Sequence, residues 1–512
     1  MNRDDVSATR DSITIATDLP AGTPIDISFD GARVWSAKVP GRRQHGRVTL
    51  PWPRALKTHL DGYTTLSVRR SDDQSPVAEA EVRFGQGDDR VSLLDRHGRW
   101  LVVNKWNLLA PAVEGSDPGL TERLIERTAE IVDLLQANDY AVYITGGSLL
   151  GAMRGGRILP HDDDTDLGVY FEADHPADLS LASYEMQRLL EAAGFTVVRH
   201  STAHLQVTFF HESGDLDHYV DIFTAFHKDG VFNQPIAVRG EFAVESLFPL
   251  TEIELEGRSF PSVADPEGWL TICYGPGWRT PDPSFRFKTP VATRRRFESW
   301  FGVYNLHRVY WEGYYSQFDD ASEVPFESEE LLPLLERLPS ASEVLELGSG
   351  AGATARALAA AGHRVRSVDY AYQPLRLATH ASTDGIDFQR KNLNDRREIM
   401  ELAADYVGSG IRPHVVMTHT LETINDRARA IVFLMLRQLL DASSFAFITI
   451  DTSPSKHFEH TWPDTWHLPV DWLEREIRPF ELEAEVLATG HRSTHRGERR
   501  STATVILRKK RK

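Results

Sequence analysis

Cysteine is nearly missing from this chain: Cys273 stands alone among 512 residues. An internal disulfide, a CxxC metal site and a zinc ribbon are therefore excluded, since each needs at least two thiols. Long apolar runs are also missing, and none approaches the roughly 18 residues that a membrane-spanning helix requires. Positive charge is in deficit, with 57 Lys and Arg against 74 Asp and Glu and a net charge of −17. Binding of DNA or RNA without regard to sequence rests on neutralising phosphates, so no nucleic-acid partner is expected. The exception is local. The basic tail Arg508-Lys509-Lys510-Arg511-Lys512 reads as a solvated end, with peripheral contact to an anionic membrane as its second reading. The opening Met-Asn-Arg-Asp-Asp-Val-Ser puts two acids where a secretory signal carries basic and then apolar residues, so the expected compartment is the cytoplasm.

What is present is an ordinary globular composition, 41% apolar and 26% charged. At roughly 150 residues per domain, the length predicts about three domains. Residues 1–98 show short alternating runs: Ile25, Ile27 and Phe29 against Asp26 and Ser28, then Asp30-Gly31 as a two-residue hairpin turn. This predicts a small all-β sandwich, read as a packing or partner-binding module without a catalytic constellation. After Ser116-Asp117-Pro118-Gly119 the period changes, and Leu120, Leu124, Ile131 and Leu135 share a helical face. A domain mixing helices and strands is expected over 99–305. The acidic, aromatic stretch from Tyr310 to about Glu330 is expected to serve as linker and lid. Across 306–512, apolar strands alternate with helices, which predicts a parallel sheet with crossover helices closed by a terminal hairpin.

The first chemical signal is the run YITGGSLLGAMRGGRILPHDDDTDLGVYF over 143–171. A strand ends at Gly146-Gly147, Ser148 is placed to cap a short helix, and a second strand carries Asp162, Asp163, Asp164 and Asp166. Asp164 and Asp166 are two apart and so face one side of a strand. Like charges about 4 Å apart repel by roughly 4 kcal/mol at an effective dielectric near 20, so a cation is expected between them. Asp221, in the apolar run Tyr-Val-Asp-Ile-Phe, offers a third carboxylate. Three carboxylates beside a glycine turn suit metal-assisted phosphoryl transfer. An EF-hand is the competing reading, and it fails because Leu167 and Ala173 occupy the positions of its glycine and its bidentate glutamate.

The string GGSLLGAMRGGRILPHDDDTDLG resembles the LicD/fukutin-related group, and YVDIF and LFPLTEIELEGRSFPSVADPEGWLTICYG are similar to its later segments. The resemblance spans about 120–290, with His161 and Ser148 departing from the family pattern. It implies an α+β nucleotidyltransferase-like domain in which Asp164, Asp166 and Asp221 are catalytic and bind Mg²⁺ or Mn²⁺. It also implies that Gly146, Gly147, Ser148 and Arg154 face the donor phosphates. The implied reaction moves a phospho-alcohol from a CDP-alcohol or other nucleotide donor to a glycan hydroxyl.

The second signal is VLELGSGAGATARALAAAGHRVRSVDY over 344–370. Gly348, Gly350 and Gly352 lead from a strand into a helix, and Asp369 closes the next strand, placed for ribose hydroxyls. The spacing alone also satisfies a loose dinucleotide fingerprint. Glu346 favours a cationic ligand such as S-adenosylmethionine, because its carboxylate would repel a pyrophosphate, with NAD(P) and a Rossmann-like domain without cofactor as the competing readings. The segment resembles motif I of class I methyltransferases. That resemblance covers about 310–512 and implies a Rossmann-like α/β domain of seven strands. By it, Glu346, Gly348, Gly350, Gly352 and Asp369 line the cofactor, Asn392 and Leu393 lie near the adenine, and His419 and Glu422 face the acceptor. No cysteine nucleophile is available in this stretch and no Asn/Asp-Pro-Pro-aromatic run follows the fourth strand, so a small molecule or sugar is the expected methyl acceptor, not a DNA base.

Together these readings predict a cytoplasmic bifunctional enzyme, a phosphotransferase joined to a methyltransferase working on the same or a related substrate. Two alternatives remain: a methyltransferase with a nucleotidyl-transferring domain that acts on a small molecule, and a scaffold built on degenerate catalytic domains.

Overall fold

The structure is a computed structural model. It describes the chain except residues 1–4, 95–97, 105–108, 112–118, 160–161, 163, 174, 212–215, 236, 283–284, 286, 288, 382–383 and 511–512. His161, Asp163, most of the turn before Gly119 and the last two tail residues thus lie outside the described residues. Mixed sheets fall into two compact units, Met1–Gly302 and Val303–Lys512.

The first unit opens with two antiparallel sheets. One has three strands, Val6–Ala8, Ser12–Ala16 and Arg47–Pro51. The other has four, in the order Ala32–Lys38, Pro24–Phe29, Gly62–Arg70 and Pro76–Phe84. Ile13, Ile15, Val48 and Leu50 meet Ile25, Ile27, Phe29, Leu66 and Val68 in one core, which continues past residue 98 to Val103. Asp30 and Gly31 both take positive φ, at 50° and 87°, which is the geometry that joins two right-twisted strands by two residues.

The same unit continues with a sheet of seven strands. Its main path runs Ala141–Ile144, Asp164–Tyr170, Leu216–Lys228, His204–Phe210 and Thr196–Ser201. Helix Leu120–Gln136 packs its Ile125, Ile131, Val132 and Leu135 into this core. Strands Asp164–Tyr170 and Leu216–Lys228 pair in parallel, with Asp166 opposite Asp221. That register brings together two acids 55 positions apart in the chain.

The second unit is one sheet of seven strands. They run in the order Ile386–Arg390, Arg364–Asp369, Glu343–Leu347, His414–Thr418, Ala446–Asp451, Arg499–Lys509 and Leu482–Ser493. The first five are parallel, and the terminal hairpin adds antiparallel. The strand order reverses between Glu343–Leu347 and His414–Thr418. A crevice outside the carboxyl ends of the strands opens at such a switch point.

The stretch expected to be a linker belongs to this unit. Helix Arg308–Tyr315 is followed by Phe318, Ala321 and Val324, which pack with Ala351 and Leu377. Its aromatic residues divide between that packing, with Phe318, and the wall of the second unit's cavity, which Trp311, Tyr314, Tyr315 and Phe326 line.

Candidate functional site

In the first unit, Asp164, Asp166 and Asp221 each bring a carboxylate oxygen within 4.8 Å of the others. They line a cavity of about 1630 Å³ together with Asp162, Gly146, Gly147 and Arg154. The glycine turn is tied directly to the acids. Gly147 N–H donates to Asp166 Oδ2 at 2.6 Å, and Gly146 has φ +52°, with a Cβ there falling 2.3 Å from the same oxygen. Only glycine permits that approach. Ser148 lies inside helix Gly146–Gly155 and is not its cap, because the glycine turn starts the helix two residues earlier. Its hydroxyl accepts from Asp166 N–H at 2.9 Å and so fixes the acid's backbone.

Arg154 sits at the cavity, but its guanidinium is engaged by main-chain carbonyls. Nε donates to Trp278 O at 2.9 Å, and Nη2 reaches Trp278 O and Thr280 O. It therefore holds the loop of Trp278 and Thr280, which borders the cavity. Burial lowers its pKa.

Three residues at this centre were not singled out from the sequence. Gln206 donates to Asp221 Oδ1 at 3.1 Å, and His204 Nε2 lies 3.2 Å from the same oxygen. Burial drives the His204 pKa down to about 3 against the attraction of Asp164, so the ring is neutral. Tyr274 is half-buried, and desolvation together with the nearby Cys273 and the charges of Asp166, Asp162 and Asp164 pushes its hydroxyl well above the usual range. His204 and Gln206 alternate along a strand, but only the strand register aims them at Asp221.

The sandwich, expected to be an accessory, also borders this cavity. Asp26, Ser28, Ser67 and Arg69 of the four-stranded sheet are among its lining residues, and Lys38 bridges to Asp282 at 2.6 Å.

In the second unit, a cavity of about 280 Å³ lies at the carboxyl ends of the strands. Gly348, Gly350, Asp369, Leu393, His419 and Glu422 line it, whereas Glu346, Gly352 and Asn392 do not. Asn392 donates to Tyr304 O at 2.6 Å, and its main-chain N–H donates to Glu398 Oε2 at 2.7 Å; Lys391 and Asn394 border the cavity in its place. Glu346 is 1% exposed and accepts from the Ser367 hydroxyl, and burial lifts its pKa to about 8. Without a ligand it is therefore mostly neutral at pH 7, which revises the expectation of a standing carboxylate.

Asp369 accepts from three backbone N–H groups, Gly350 at 3.0 Å, Tyr370 at 2.7 Å and Ala371 at 3.1 Å. Burial raises it to about 6 despite them. Gly348 has φ +80°, and a Cβ there would fall 2.4 Å from Thr420 Oγ1. A Cβ on Gly350 would strike the Tyr315 hydroxyl at 2.4 Å. Tyr315 thus covers the glycine loop, a contact that no spacing in the sequence reveals.

On the acceptor side, His419 Nδ1 lies 3.0 Å from Glu422 Oε1, and Nε2 lies 3.0 Å from Glu330 Oε2. Burial opposes protonation, but these two carboxylates outweigh it and hold the pKa at about 9. Asp451 is bracketed by Arg492 at 2.8 Å and Arg500 at 2.7 Å. The cluster is an array of fixed, paired charges, and His419 within it is an imidazolium, not a free base.

Residues 139–263 match the family model described as LicD/FKTN/FKRP, nucleotidyltransferase domain. The chain is 28% identical over 160 residues to human ribitol 5-phosphate transferase FKRP, covering 30% of this chain and 32% of that protein; the mouse protein matches over the same shares. The chain thus spans about a third of the length of the curated relatives it matches. Among solved structures, a SAM-dependent methyltransferase from Anabaena variabilis aligns at 13% identity and TM-score 0.32, over 40% of this chain and 95% of that one. A SAM-dependent methyltransferase from Methanosarcina mazei aligns at 15% identity and TM-score 0.28, over 35% and 98% respectively.

Proposed function

From the LicD/FKRP-family domain at residues 139–263, we propose that the first unit transfers a phospho-alcohol from a CDP-linked donor to a glycan hydroxyl. The second unit methylates the same or a related substrate with S-adenosylmethionine. The observation that carries the first half is the pairing of Asp166 with Asp221, with Asp164 beside them and a glycine turn bonded to the acids.

The three carboxylates fit a divalent cation. Their oxygens converge within 4.8 Å of one another, and all three line the cavity. Mg²⁺ or Mn²⁺ bound there supplies charge neutralisation and alignment of phosphate oxygens. The chain's own residues do the positioning. Gly147 N–H and Ser148 Oγ fix Asp166, Gln206 fixes Asp221, and Arg154 holds the bordering Trp278 loop by its carbonyls.

The second unit's crevice lies at the switch point of a sheet ordered like a doubly wound fold, where cofactors bind. Asp369 is aimed by three N–H donors and is the acid best placed for ribose hydroxyls. His419, charged and fixed between two carboxylates, orients an acceptor and does not take its proton. Methyl transfer from a sulfonium leaves a neutral thioether, and Glu346 meets that change from behind the glycine loop.

The test is to incubate the pure protein with labelled S-adenosylmethionine and a panel of CDP-alcohols, with glycan acceptors and Mn²⁺, following both labels by mass spectrometry. Transfer of phospho-alcohol that vanishes with EDTA, and methyl incorporation that does not, is the expected result. Transfer that persists without metal would overturn the first assignment, and NAD binding in place of S-adenosylmethionine would overturn the second.

A further inference from the structure

The polar face of the N-terminal four-stranded sheet turns toward the cavity of the first unit. Ile25, Ile27, Phe29, Leu66 and Val68 point into the sandwich core, so the alternate residues must point the other way. Those residues line the cavity that holds Asp164, Asp166 and Asp221. Every side chain this sheet and its turns bring to the cavity, among the described residues, is polar or belongs to glycine.

The middle of the face is buried: Asp26 is 7%, Ser28 9% and Ser67 8% exposed. Ser28 and Ser67 sit directly opposite one another on paired strands. Asp26 is fully engaged, accepting from Ser36 at 2.6 Å, Ser71 at 2.8 Å and Gln74 at 3.0 Å. The two serine hydroxyls, by contrast, make no side-chain hydrogen bond among the described residues. Both residues are nearly buried while their side chains border the cavity, so the hydroxyl pair stands open to bond whatever enters it. Exposed Lys38, Arg69 and Glu79 stand at the rim.

The chemistry of the face selects the ligand. Asp26 is the charge in the buried middle of the face, whereas Arg33 is half-buried and turned to Ser36 and Lys38 is paired with Asp282, so the centre offers hydroxyls and a carboxylate and no buried cation for a phosphate. Paired hydroxyls flanked by a carboxylate suit a neutral molecule rich in hydroxyls. The same cavity carries Tyr274, Phe285 and Phe287 packed ring to ring at 5.0 to 5.5 Å, apolar faces of the kind that sugar C–H groups rest on.

We propose that this sheet face, centred on Ser28 and Ser67, is the acceptor subsite and binds a saccharide. The inference rests on the transfer reading of the first unit. It assigns to the sandwich the recognition of the group that receives the phospho-alcohol.

The experiment uses the intact chain on a glycan array, wild type beside the double variant Ser28→Ala/Ser67→Ala, with Mn²⁺ and CDP binding to both proteins measured by calorimetry. The expected result is that the wild type retains one class of glycan and the double variant loses at least about tenfold in that affinity, with Mn²⁺ and CDP binding unchanged. Ser67→Leu, which fills the face instead of emptying it, should abolish glycan retention with the same melting temperature. Equal retention by wild type and both variants overturns the proposal. So does a wild type that binds Mn²⁺ and CDP but no glycan, a result that leaves the transfer reading standing. A wild type that binds neither Mn²⁺ nor CDP defeats the transfer reading, and this inference with it.

Discussion

Glu346→Gln should make the second unit more stable in alkaline solution, because it removes a titratable carboxyl from a buried position. Glu346 is 1% exposed, and burial lifts its pKa from an ordinary 4.5 to about 8. A group with a raised folded-state value contributes stability that is fully present below 4.5 and lost as pH rises through about 8. Between pH 5 and 8 the unfolded chain releases this proton freely and the folded chain does not. At about 1.4 kcal/mol per pH unit, the ceiling on the loss is on the order of 4 kcal/mol. Local relaxation and the retained Ser367 hydrogen bond bring the expected loss to about 2 to 4 kcal/mol. For a unit of about 200 residues this is roughly 5 to 15 °C in melting temperature. Glutamine keeps the shape and an oxygen for the Ser367 hydroxyl while removing the titration. Differential scanning calorimetry of the intact chain at pH 5, 6.5 and 8 should therefore show the variant melting above wild type at pH 8 and level with it at pH 5. Asp369, raised to about 6, adds a smaller fall of the same sign in both proteins. Parallel pH profiles for wild type and variant would refute the argument. The same reasoning makes S-adenosylmethionine binding at pH 7 release up to about 0.9 of a proton, read from calorimetry in two buffers of different ionisation enthalpy.

Asp164→Asn and Asp166→Asn should each abolish metal-dependent transfer while leaving circular dichroism and melting unchanged, since relieving like-charge repulsion does not harm the fold; activity that resists EDTA would contradict this. Asp369→Ala should weaken S-adenosylmethionine binding by about 10- to 150-fold through loss of charge-assisted hydrogen bonds, measured by calorimetry, with transfer by the first unit unaffected. A fragment of residues 303–512 should fold cooperatively and bind S-adenosylmethionine, and a fragment of 1–302 should keep the transfer; one starting at Leu306 should be weaker than one starting at Val303, because it lacks the Tyr304 carbonyl that holds Asn392.

Much of both sites was legible because their signals are local. Asp164 and Asp166 share a face by strand alternation, and the Gly348 loop announces a strand, a turn and a helix within a dozen residues. What stayed hidden depends on register or on packing. The aim of His204 and Gln206 at Asp221 follows from a pairing that no single strand records. The segment 310–330 looked like a linker because its acids dominate, while its Tyr314 and Tyr315 line the cavity of the second unit and Phe318 packs behind them. Glu346 and Asn392 were placed beside the cofactor by the family resemblance, but side-chain direction turned both into the protein. The sandwich misled for a different reason. Asp26 and Ser28 alternate with Ile25, Ile27 and Phe29 in the same way whether the polar side meets bulk water or a closed chamber.

That chamber is walled by two separately packed interiors, one around Ile27 and Phe29 and one around Leu167 and Ile222. A substitution on the sheet face disturbs no side chain of the interior that supports the three aspartates. Such an arrangement lets the range of accepted molecules drift by single mutations while the chemistry stays fixed. It also offers a practical route to redesign: the strands Pro24–Phe29 and Gly62–Arg70 can be diversified at alternate positions, as in a binding-protein library, without touching the reactive end.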